Sequence, residues 1–115
     1  LLPKGQTDDD LMTMLANLAQ WDKVERIWDE LAAQALQGRD IRTEEHRLLE
    51  TALRLYNSTL SGAEATLRGV EKNSKYNYEV HQRLTDTGET VQQQILPGLV
   101  NAGGKLRKKI LVRTV

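Results

Sequence analysis

Leu49, Leu53, Tyr56, Leu60, Ala63, Leu67 and Val70 stand alternately four and three residues apart. A strand reverses its side chains at every second residue, whereas a helix returns them to one face every 3.6, so this ladder predicts a helix surface. The spacing runs on in phase through Ser74, Asn77 and His81 and becomes apolar again at Leu84, Val91 and Ile95. The expectation is an all-α chain: an antiparallel helical bundle or long helical hairpin with coiled-coil-like heptad packing. The absence of Phe agrees, because Leu, Ala, Val and Ile must then fill the interior, and they suit narrow helix–helix seams.

Residues 1–115 read as one helical domain. A first helical segment spans 7–37. Thr7 caps it, Asp8, Asp9 and Asp10 lie in its first turn, and a break near 20–22 is an option where Asp22 and Glu25 offer a second start. Val24, Trp28, Leu31 and Ala35 carry its apolar face, and Gly38 stops it. A second segment, 43–72, is capped by Asp40 or Thr43 and ends near Asn73-Ser74-Lys75. A third, 79–96, stops at Pro97-Gly98. Residues 99–115 form a basic tail in which Ile110-Leu111-Val112 would suit a strand as well as a helix. A helix-pair repeat competes with the bundle, since Val24, Trp28 and Leu31 superpose on Ala63, Leu67 and Val70 at an offset of 39. The intervening segments do not align, which favours the bundle.

The chain is neutral overall but polarised. Residues 1–50 carry eleven acids against six bases, while the last fifteen residues carry five bases and no acid. Those five, Lys105, Arg107, Lys108, Lys109 and Arg113, are the expected partner-binding residues. They would meet an acidic helix, a phosphate backbone or an acidic membrane surface. The plainer account, favoured because short basic clusters are common, is a solvated end or pairing with the chain's own acidic half. No aromatic residue is interleaved among these bases, so no stacking platform for single-stranded nucleic acid is written there.

Trp21 and Trp28 share a face and read as core before they read as partner anchors. Ser74, Asn77 and His81 sit where a seam expects apolar residues. They mark either a bend or a register-setting, pH-sensing position. Tyr76 and Tyr78 beside them hint at a contact patch. His46 and Glu50 have metal-compatible spacing but lack further ligands. Asp8-Asp9-Asp10 lacks the alternation of a calcium loop. Gly98–Lys105 fails the spacing of a phosphate loop, and the formal glycosylation sequon Asn57-Ser58-Thr59 falls inside a predicted helix.

With no Cys, thiol catalysis and thiolate metal sites are excluded, and a reducing compartment such as the cytoplasm is the expectation. No apolar run reaches the roughly 18 residues of a membrane span, and no secretory signal is evident. The chain opens on Leu rather than Met, which suggests an excised domain or a processed chain. Neither catalytic groups nor a cofactor motif stand out. The expected function is a non-enzymatic protein–protein interaction or assembly module that docks partner helices or copies of itself through heptad seams. Nucleic-acid or anionic-surface binding through the basic tail is the alternative.

Overall fold

The computed structural model describes residues 19–115. The expected helical face of the first segment is present. Helix α1 (Trp21–Leu36) buries Val24, Trp28, Leu31, Ala32 and Ala35. It begins after a turn at Ala19–Gln20, and the part of the first segment before residue 19, with its proposed Thr7 cap and acidic turn, lies outside the described residues. Gly38 ends it with φ +83°, a left-handed conformation open to glycine without penalty. Helix α2 (Thr43–Asn57) buries Leu49, Ala52 and Leu53 against α1. Its start is fixed by Glu45, whose carboxylate accepts from the Arg42 backbone N–H at 3.0 Å and from Gln34 Nε2 at 3.0 Å. These donors pull the Glu45 pKa down to about 2.

Beyond Asn57 the all-α expectation fails. The predicted helix 43–72 stops there, the predicted helix 79–96 is absent, and the predicted tail is folded. In their place stand β1 (Thr66–Arg68), β2 (His81–Arg83), β3 (Val91–Leu96), β4 (Gly98–Val100), β5 (Leu106–Lys108) and β6 (Ile110–Thr114). The molecule is a mixed helix–sheet fold. Helical bundle, coiled coil and helix-pair repeat are all overturned. The first physical cause is at Asn57, whose side chain mimics a strand partner. Its Oδ1 accepts from Ala65 N–H at 2.9 Å and its Nδ2 donates to Ala65 O at 2.8 Å, turning the chain back. Gly62 at φ +102° and Asn73 at φ 73° add left-handed corners that no continuous helix tolerates.

The strands form two three-stranded sheets, ordered β1-β4-β5 and β2-β6-β3. Pairing is antiparallel throughout except for β2 with β6, which is parallel. The sheets share one hairpin: β3 passes through Pro97 into β4, and β5 passes through Lys109 into β6. At this corner the two arms run very close. A Cβ on Gly98 would lie 2.9 Å from Lys108 O and 3.0 Å from Ile110 Cγ1, so no larger residue fits without displacement.

Two apolar cores result. The larger joins α1 and α2 to Ala65, Leu96, Leu99 and Leu111. Trp28 is pinned to the hairpin corner, its indole N–H donating to Pro97 O at 2.6 Å. Trp21 is half-buried, with its ring 5.2 Å from that of Tyr56. The smaller core lies on the other face of β6, where Val91, Ile110 and Val112 are covered by Val70 and Tyr76. Successive residues of β6 therefore alternate between cores, Leu111 to one and Ile110 and Val112 to the other.

Candidate interaction surface

The expected basic tail is built into the hairpin, and its five charges have separate fates. Strand β5 lies at the edge of its sheet. Lys105, Arg107 and Lys109 are exposed, whereas Leu106 and Lys108 between them are half-buried. Arg107 is the extra residue of a bulge, because Leu99 pairs with Lys108 and Val100 with Leu106. The turn that presents this edge is closed by Asn101, whose Oδ1 accepts from Lys105 N–H at 2.9 Å.

Lys108 points to helix α1. Its Nζ lies 2.8 Å from Asp29 Oδ1 and 3.8 Å from Glu25 Oε2, and 5.9 Å from the Trp28 ring centroid. Its charge is satisfied within the chain. Lys109 donates from Nζ to Tyr78 O at 2.7 Å and sits 5.9 Å from the Tyr78 ring. Tyr78 itself is 69% exposed, which places an aromatic face at the end of the cationic edge. Arg113 is elsewhere, half-buried on β6 beside the α1–α2 connection, so the five bases do not form one patch.

Charged side chains on an edge strand have a structural use of their own, since they deter pairing with another chain. That accounts for cationic character but not for the neighbouring exposed tyrosine. In the sequence the bases stand as one cluster, with nothing to separate Lys105, Arg107 and Lys109 from Lys108 and Arg113. Tyr78 was not linked to it, because only folding brings residue 78 to residue 109.

The other expected residues find structural places. His81 is buried, and its Nδ1 accepts from Asn77 N–H at 3.0 Å. Burial chiefly, and secondly the charge of Arg68, hold its pKa below the ordinary 6.5. Tyr76 packs on it with ring centroids 5.8 Å apart and carries the Arg83 guanidinium 4.6 Å from its own centroid. Both polar ends of the Asn57 amide are engaged, as described above. His46 and Glu50 open onto different hollows. Among the described residues no three His, Asp or Glu side chains are grouped to hold a metal ion, and no helix is long and apolar enough to cross a membrane. Comparison with family models, curated proteins and solved structures finds no match to this chain.

Proposed function

We propose that the chain is a non-enzymatic protein-interaction module that docks an acidic partner on the outer edge of β5. The observation that supports this reading is the division of the basic residues: Lys108 is neutralised by α1, while Lys105, Arg107 and Lys109 remain exposed beside Tyr78. Tyrosine and arginine are the residue types that carry binding energy at protein interfaces, with charge setting encounter rate and orientation. The heptad seams contribute nothing to this reading, because residues 58–115 are not helical.

Nucleic acid is the weaker fit. Three exposed bases neutralise about three phosphates, which gives a salt slope near −2.7 in log K, small for a duplex-binding protein. Photo-crosslinking in the native host, with the reactive residue placed at Arg107, tests the reading. The expected result is a discrete protein adduct that disappears with Lys105→Glu plus Lys109→Glu and is not formed from Glu44, exposed on α2. Adducts to nucleic acid alone, or adducts insensitive to the charge reversal, would overturn it.

A further inference from the structure

We infer that the hollow between the α1–α2 connection and the β3–β6 pair binds a small oxyanion, phosphoryl or carboxylate, through Arg39 and Arg113. The hollow has a volume of about 350 Å³ and is also lined by Asp40, His46 and Gln93. That volume is at the low end for small-molecule sites, roughly 300–1,000 Å³. Its largely polar lining suits an anion better than an apolar ligand.

Arg113 carries the argument. It is half-buried, yet among the described residues no carboxylate lies within ion-pair distance of it. An arginine held half-buried by its stem presents its head in a fixed place, and a charge so placed is stabilised by an anion that pairs with it. Its planar fork matches the two oxygens of a phosphoryl or carboxylate group. Gln93, directly opposite in the strand register, offers amide donors beside it. Bulges on both sides of the Gln93–Gln94 pair interrupt β3 here, and bulges redirect side chains next to functional sites.

The opposite wall comes from the helix connection. Arg39 follows the Gly38 corner and is steadied by Gln37, its Nη2 donating to Gln37 Oε1 at 2.7 Å. Asp40 offsets one of the two guanidinium charges, which leaves the hollow with a formal charge of one positive unit when His46 is neutral. The site is distinct from the β5 edge, so the two proposals stand or fall separately.

The test is a titration of the whole chain with inorganic pyrophosphate and, separately, citrate, followed by amide NMR against chloride of equal ionic strength. The expected result is saturable shifts confined to residues 39–41, 46, 93–95 and 113, with a midpoint on the order of a millimolar or lower. Arg113→Gln and Arg39→Gln should each weaken binding about tenfold or more, and Lys109→Gln should leave it unchanged. Arg39 is exposed in a connection, so its variant keeps the fold even if Arg113→Gln does not. Saturation by pyrophosphate alone identifies a phosphoryl ligand, and by citrate alone a carboxylate. Shifts no larger than those in chloride, or saturable shifts unaffected by Arg39→Gln, would overturn the assignment.

Discussion

The two cores differ in which segments they hold together. The larger is a joint venture of helices and sheet: α1 and α2 supply eight of its buried residues, and Ala65, Leu96, Leu99 and Leu111 supply the rest. The smaller belongs to the sheet alone, with three buried aliphatic residues under a loop that reaches them through Val70 and Tyr76. A core spanning both halves makes their folding one event. A core closed by a loop can open locally while the rest persists. β6 is the boundary between them, because it sends alternate residues into each.

The strongest way to break this contrast is Leu111→Ala, which empties a fully buried site in the larger core. The expected cost is about 2–5 kcal/mol, read in denaturant melts as a joint shift of helical and sheet signals. If only the sheet signal moved, the idea of a shared core would be wrong. Trp28→Phe keeps one aromatic ring but removes the rest of the indole and leaves Pro97 O without its donor, at about 1–3 kcal/mol, and should shift the same melts in parallel. Ile110→Val, one residue from Leu111, should cost about 0.5–1.5 kcal/mol. Hydrogen exchange should then quicken at residues 70–76 while α1 and α2 keep their protection.

A gentler test is pH. The pKa of His81 is depressed in the folded chain, so the unfolded chain takes up the proton first. The stability contributed by neutral His81 is complete above about pH 6.5 and is lost as pH falls below it. Protonation would also place an N–H at Nδ1, facing the Asn77 N–H that it now accepts, with Arg68 and Arg83 as the nearby positive charges. His81→Phe should flatten the acid limb of a stability–pH curve. Glu45 adds a separate loss only further into acid, as pH falls from its ordinary 4.5 towards its folded value of about 2. The smallest effect expected is that of Lys108→Met. Its partner Asp29 is about half exposed, and surface pairs of this kind contribute roughly 0–1 kcal/mol.

The helices were readable because each presents one stripe to one core. Val24, Trp28, Leu31 and Ala35 in α1 and Leu49 and Leu53 in α2 keep the spacing of a helix and are buried as that spacing requires. The strands were at best ambiguous, Ile110-Leu111-Val112 suiting a strand as well as a helix, for two physical reasons. Both faces of β6 are buried, so Ile110-Leu111-Val112 shows no alternation. In β3 the two bulges insert residues into the period of two. The inward residues Val91 and Ile95 consequently fall four apart, which imitates a helix face, with Leu96 directly after. The ladder through Leu60 and Ala63 was coincidence of spacing, and Ser61-Gly62 within it was the overlooked turn signal. Of the candidate surface, the charges were legible as residues but not as a pattern. Nothing in a linear string tells Lys108, which bonds Asp29, from Lys109, which bonds Tyr78.

The parallel pairing of β2 with β6 bears on how the chain acquires its structure during synthesis. β6 follows, in chain order, every segment it pairs with, and it is the central strand of its sheet. A nascent chain that lacks residues 110–114 can close neither core: Leu111 is missing from one, Ile110 and Val112 from the other. Helices α1 and α2 can form and pair early, but the core they share with Leu96, Leu99 and Leu111 stays incomplete until β6 leaves the ribosome. A released chain truncated before residue 110 should therefore be prone to aggregation or chaperone capture, and one that extends through residue 114 should lose that vulnerability at a single step.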